Sequence, residues 1–206
     1  SNGEIFQGAK SYKKYKLKLA KEQRKLAKKQ KFSSNWKKQK SRITKLHKKI
    51  ADTRQDRNHW VSTKLTKEFG QIYSEDLKIK NMTKSSKGTI ESPGKMVKQK
   101  SGLNREILDQ AWYEFCRQLE YKSKWIGGMY VQVDPKYTSQ RCSVKSCGHK
   151  AKENRENQAK FLCKKCGHEE NADINAAKNI LAAGLAVYAC GGESLDSPKK
   201  QEPLAA

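Results

Sequence analysis

The chain has 206 residues, with 45 Lys and Arg against 21 Asp and Glu, a formal net charge of +24, and its hydrophobic share is 35%. Such a composition is thin in core-forming side chains and makes a polyanion the first partner to test. No apolar run long enough to span a bilayer occurs, and charges interrupt the first thirty residues, so neither a membrane partner nor a secretory signal is expected and a cytosolic protein is.

The charge is uneven: residues 1–70 hold 22 Lys and Arg and 5 Asp and Glu, a surplus of 17, which leaves +7 for the rest. Residues 2–6 read as a turn and a short strand. Residues 9–31 lack Pro and Gly, and Tyr12, Tyr15, Leu19 and Leu26 recur at helical spacing, so one helix with a narrow apolar seam is expected. Ser33, Ser34 and Asn35 supply cap chemistry, and Trp36, Ile43, Leu46, Ile50, Trp60 and Leu65 mark a second helix to about residue 69. The two should pack as a hairpin over about residues 9–69, exposing Lys37, Lys38, Lys40, Arg42, Lys45, Lys48, Lys49, Arg54 and Arg57. A charge row is ordinarily a solvated face; here the surplus of one sign, with few Glu partners at i+4, favours nucleic acid.

Gly70 ends the helix, residues 71–74 form a short strand before Glu75, and residues 83–102 read as a mobile basic loop. Periodicity returns over 103–122 as one helix, residues 129–134 alternate as a strand that stops at Pro135, and 174–183 form a last apolar helix. The order of elements belongs to an α/β layered fold. The expected division is a core part with the basic hairpin over 1–138, a cysteine ribbon over 139–170, a last helix over 171–190 and a disordered tail over 191–206.

Six cysteines stand at 116, 142, 147, 163, 166 and 190. Cys142 and Cys147, with four residues between them, and Cys163 and Cys166, with two, are separated by fifteen residues, and each pair is followed by Gly and His. Two thiolate knuckles of this spacing close a tetrahedron around Zn²⁺, with no open position for catalysis. Free buried thiols are the alternative, and the polar segment offers little core for them. His149 and His168 are read as loop or nucleic-acid contacts, with His for Cys ligation as a lesser variant. Lys145, Lys150, Lys164 and Lys165 are placed to offset the thiolate charge, and Cys116 and Cys190 are read as small apolar fillers, or a tail thiol, rather than ligands.

Glu75 follows an apolar strand and Asp173 opens the last helix. Carboxylates so placed hold Mg²⁺ in nucleases. Taken alone, neither is persuasive: a helix-dipole partner accounts for Asp173 and an ordinary surface acid for Glu75.

The segments Tyr137-Thr138-Ser139-Gln140-Arg141-Cys142, Cys147-Gly148-His149, Glu153-Asn154-Arg155, Phe161-Leu162-Cys163, Cys166-Gly167-His168 and Asn171-Ala172-Asp173-Ile174-Asn175 supply more context. Together they resemble the C-terminal zinc ribbon and last RuvC motif of the TnpB (OrfB) family of insertion sequences, which is related to type V CRISPR effectors. Upstream, Asn2-Gly3-Glu4-Ile5-Phe6, the hairpin with Asp52, Arg57 and His59, and Ile72-Tyr73-Ser74-Glu75-Asp76-Leu77 resemble the family in the same order. The resemblance implies a partial RuvC-like (RNase H-type) core with an inserted four-cysteine zinc ribbon, DNA and guide RNA as partners, a nucleoid-associated prokaryotic protein, and Glu75 and Asp173 as Mg²⁺-holding catalytic acids. Arg155 is assigned to nucleic acid.

The family's first acid has no counterpart in the chain, and the first knuckle is two residues wider than the common form. The expectation is therefore a C-terminal part that begins after the first acid and does not cut alone. A catalytically silent nucleic-acid-binding remnant or repressor is the alternative, and a stand-alone zinc-ribbon scaffold leaves Glu75 and Asp173 unexplained. The residues are silent on oligomeric state.

Overall fold

The computed structural model describes residues 2–189; Cys190 and the tail expected over 191–206 lie outside the described residues. The apolar seam of the first segment forms α1 (Ser11–Ala27), and the serine break sets α2 (Ser34–Glu68). Ser33 Oγ accepts the Trp36 N–H at 3.2 Å, satisfying one of the donors that a helix start leaves without a partner. Leu19, Ile43, Leu46 and Ile50 bury against one another, with Tyr12, Tyr15 and Leu26 around them, and this seam joins the helices. Each buried aliphatic side chain contributes on the order of 1.5–3 kcal/mol. That suffices to hold together two helices whose outer faces repel. Trp60, one of the residues that mark α2 in the sequence, is 58% exposed.

β1 (Gln71–Glu75) and β2 (Met129–Val133) form a two-stranded sheet. The Met129 N–H bonds the Gly70 carbonyl at one end and the Asp76 N–H bonds the Val133 carbonyl at the other, so the strands run parallel. A parallel pair needs a long crossover. It is made of α3 (Ile79–Met82), α4 (Val97–Asp109) and α5 (Trp112–Trp125).

Three local expectations are corrected. Residues 2–10 contain no strand: Asn2 Oδ1 accepts the Glu4 N–H in a local turn. The basic loop is shorter than expected, because α4 begins at Val97. The single helix expected over 103–122 is two, divided at Ala111, whose backbone is left-handed at φ 49°. Tertiary contacts outweigh periodicity there. Asp109 accepts the Tyr12 N–H and the Arg54 guanidinium, and Asn58 Nδ2 donates to the carbonyls of Gln110 and Ala111.

The described residues divide into two compact units, one of Ile5–Ile72 and Leu77–Tyr130, the other of residues 2–4, Tyr73–Asp76 and residues 131–189. In the first, α2 packs on α5 through a polar layer. Buried Lys122 donates to the His59 carbonyl, Ser62 Oγ and Thr63 Oγ1 at 2.7–2.9 Å, and burial lowers its pKa. In the second, β3 (Lys160–Leu162) and β4 (Glu169–Asn171) form an antiparallel hairpin against which α6 (Ala172–Ala189) begins. Tyr73 of β1 packs on Gly184 of α6 so closely that a Cβ there would lie 2.1 Å from the Tyr73 ring.

Candidate metal centres and nucleic-acid surface

The four ribbon sulfurs lie within 4.8 Å of one another, with Cys142 and Cys166 at 3.7 Å and Cys147 and Cys163 at 3.7 Å. A tetrahedral Zn²⁺ with Zn–S near 2.3 Å sets its sulfurs about 3.8 Å apart, so the cluster can hold a metal ion of that size. These gaps are far beyond a disulfide bond. Among the described residues this is the group of three or more His, Cys, Asp or Glu whose ligand atoms converge.

The knuckles are built alike. The Cys142 N–H bonds the His149 carbonyl and the Cys163 N–H bonds the His168 carbonyl, each at 2.9 Å, and Gly148 and Gly167 turn the chain at φ 55° and 71°. Positive φ at these positions suits glycine. Burial pushes the Cys142 thiol up to about 12, against the pull of the Val144 amide. Burial also pushes Cys163 up, but the amides of Cys166 and Lys165 and the neighbouring thiols outweigh it and bring it to about 6.

Three asparagines hold the cluster in place, and sequence reasoning gave them no role. Fully buried Asn154 donates to the carbonyls of Gln140 and His149 and accepts the Lys164 N–H, joining one knuckle to the other. Fully buried Asn175 accepts the Ser143 N–H and donates to the Arg141 carbonyl, and Asn179, one turn on, donates to the carbonyls of Thr138 and Arg141. Their i, i+4 spacing on α6 was the available signal. Two of the four lysines expected to offset the thiolates are engaged elsewhere: Lys164 pairs with Glu156, and Lys150 sits 3.6 Å from the Tyr137 ring centroid. His168 faces Glu170 at 3.4 Å.

Glu75, at the end of β1, and Asp173, in the first turn of α6, line one cavity of about 400 Å³ together with Pro135, Thr138, Ser139, Arg155, Ala176, Ala177 and Ile180. Thr138 donates its hydroxyl to Glu75 Oε1 at 2.5 Å. Arg155 Nη2 lies 3.5 Å from Asp173 Oδ1 and also faces the Gln158 carbonyl. The Asp173 side chain is 83% exposed, and Asn171 Oδ1 caps the helix beneath it by accepting the N–H groups of Asp173 and Ile174. Ala176 and Ala177 keep the wall low. The arrangement presents hard oxygen donors and a cation in one open cleft, which suits a divalent ion and a phosphodiester.

Of the expected nucleic-acid contacts, Lys37, Lys38, Lys40, Arg42, Lys45, Lys48 and Lys49 are exposed along α2. Lys40 lies over the Trp36 ring and Lys49 over Tyr15. Arg54 is committed to Asp109, and Arg57 donates to the Gln7 carbonyl.

A parallel strand pair with an acid at its end, a helix with an acid at its start and a cysteine ribbon between them in sequence define the class: a RuvC-like fold with an inserted four-cysteine ribbon whose sulfurs can hold a metal ion. Comparison with known proteins agrees. Residues 1–86 match the OrfB_IS605 model, described as "Probable transposase", and residues 112–180 match the Cas12f1-like, TNB domain. The Escherichia coli (strain K12) protein named "Putative RNA-guided DNA endonuclease InsQ" is 54% identical over 205 residues, covering 98% of this chain and 50% of that protein. A "Putative RNA-guided DNA endonuclease" of Streptomyces pristinaespiralis is 36% identical over 192 residues, 93% of this chain and 43% of that protein. A chain of the cryo-EM Cas12f1–sgRNA–target DNA complex superposes with TM-score 0.52 at 26% identity, over 81% of this chain and 40% of that one. The chain belongs to the TnpB/OrfB family, related to type V effectors, and spans about half the length of the curated relatives it matches. No described helix is long and apolar enough to cross a membrane.

Proposed function

We propose that the chain is the part of an RNA-guided DNA endonuclease of the TnpB kind that carries two of its catalytic carboxylates, Glu75 and Asp173, with Zn²⁺ as the structural ion of the cysteine ribbon. The observation that carries the reading is the meeting of Glu75, Asp173 and Arg155 on one cavity, although they come from separate stretches of the sequence. The relatives named as RNA-guided DNA endonucleases support DNA and a guide RNA as partners.

Mg²⁺ held between these carboxylates would polarise the phosphoryl oxygens and activate water. Glu75 is oriented by Thr138 and Asp173 by the capped start of α6. Arg155 neutralises Asp173 and offers its guanidinium to a phosphate in the cleft. Phosphate contacts by the lysine row of α2 hold the strand. The family's site uses three acids and, among the described residues, no third carboxylate lines this cavity, so the chain by itself is expected to bind nucleic acid without cutting it efficiently.

The test is twofold. Binding of single-stranded DNA to the chain should weaken steeply as salt rises, because phosphate contacts release counterions. A flat salt response would overturn the reading. Incubation of the same complex with Mg²⁺ should leave the DNA intact; efficient cleavage that disappears in Glu75→Gln would establish the site and refute the inactivity of the isolated chain.

A further inference from the structure

We propose that Trp60, with Phe6, Arg57 and Lys64, forms a stacking platform for an unpaired base of single-stranded nucleic acid. This rests on the reading of the chain as a nucleic-acid binder and names a contact that the lysine row does not supply. Trp60 stands on α2 beyond the apolar seam and keeps more than half of its surface open. It is held rather than loose. The Phe6 ring meets it edge-on, with centroids 6.1 Å apart at 70°, and the Arg57 guanidinium carbon lies 5.0 Å from its ring centroid. Arg57 is itself fixed, since Nε and Nη2 both donate to the Gln7 carbonyl at 3.0 and 2.6 Å. Lys64 Nζ sits 5.1 Å from the Phe6 centroid, one helical turn from Trp60.

An open aromatic surface beside two cations answers both parts of a nucleotide. The base stacks on the ring, and the flanking phosphates are drawn by the charges of Arg57 and Lys64, Arg57 acting through its charge because Nε and Nη2 are bonded to Gln7 and Nη1 is buried. A duplex hides its base faces and cannot use the ring. A neutral apolar protein partner would have to desolvate the Arg57 and Lys64 side chains and offers no charge in return. The surplus of 17 positive charges over residues 1–70 also selects for a polyanion.

The experiment measures the affinity of the whole chain for a labelled oligothymidylate and for its duplex with oligodeoxyadenylate, across salt concentrations. Trp60→Leu should weaken single-strand binding about tenfold or more while leaving duplex binding and the salt slope unchanged, and Trp60→Phe should keep most of the affinity. Arg57→Gln or Lys64→Gln should instead reduce the salt slope by about one each. Trp60 is exposed, so the Leu variant should keep the far-ultraviolet dichroism of the unaltered chain. Unchanged single-strand affinity in Trp60→Leu would overturn the proposal, as would equal loss on the duplex or a change in sedimentation alone. If the unaltered chain bound neither oligonucleotide, the platform and the function proposed above would both fall, whereas binding indifferent to Trp60 would remove the platform only.

Discussion

Thr138 donates its hydroxyl to Glu75 Oε1 at 2.5 Å, across 63 residues of sequence, and the same hydroxyl lies 3.1 Å from the Pro135 carbonyl. Since it carries one proton, the carboxylate and the carbonyl share it. The Thr138 carbonyl in turn accepts from Asn179, so the loop before the ribbon links the end of β1 to α6. Thr138→Val should lower stability by about 1.5–3 kcal/mol, the worth of a hydrogen bond to a charged group, and Thr138→Ser should restore it. Urea unfolding followed by fluorescence would measure both.

Removing metal should unfold the ribbon. Its buried apolar core is Phe161, Ala172 and two of the cysteines, too little to stand without the ion. Metal binding in small zinc peptides is worth roughly 10–16 kcal/mol. With Zn²⁺ bound, the four ribbon thiols should resist a thiol reagent and should react after chelation; Cys163→Ser should abolish that protection. Protection that survives a strong chelator would show that the segment folds without metal.

Asp109→Ala should be among the more damaging substitutions in the helical unit. The carboxylate is nearly buried and is the acceptor for both Arg54 and the Tyr12 N–H at the start of α1. Its loss leaves both donors short of a partner, at a cost of about 2–4 kcal/mol. A drop in the urea midpoint of the helical signal checks it; a cost under about 0.5 kcal/mol, usual for open surface sites, would contradict the structure.

Gly184→Ala tests the packing of β1 on α6. A methyl group there meets the Tyr73 ring at 2.1 Å, a distance no side chain sustains. Overpacking of this kind costs about 1–3 kcal/mol. Tyr73→Ala combined with Gly184→Ala should cost less than the two changes added separately, which thermal unfolding of the single and double variants would reveal.

Glu114 supplies a pH dependence. The Arg117 side chain, against the cost of burial and with help from Gln118, lowers its pKa from 4.5 to about 2. A carboxylate depressed in the folded state adds stability that is complete above its unfolded pKa and fades as pH falls from about 4.5 toward 2. Glu114→Gln should therefore be less stable than the unaltered chain at neutral pH, and the gap should close through that window. Acid loss of ribbon metal is common to both chains and cancels in the comparison.

Local information in the sequence was sufficient for much of this architecture. Helical spacing of Tyr12, Leu19 and Leu26 and the serine cap at Ser33 act within a few residues, so α1 and α2 appear where they are expected. Cysteine spacing and the Gly that follows each pair determine the knuckles for the same reason. Glu75 and Asp173 were legible as weak candidates from their places at a strand end and a helix start, and motif resemblance strengthened them.

The tertiary structure decided what no local period carries. Asp109 and Asn58 bring distant elements onto the 109–111 turn and split one periodic stretch into α4 and α5. Trp60 faces solvent although its neighbours Val61 and Ser62 are buried and Ser62 bonds Lys122 of α5. Glu75, Thr138, Arg155 and Asp173 share a cavity only once the β1 end, the ribbon and α6 have packed together. A sequence shows which residues its neighbours can cap or pair along the chain, as Asn171 caps the helix start at Asp173; the partners Thr138 of Glu75 and Arg155 of Asp173 lie too far along it for any such rule to reach.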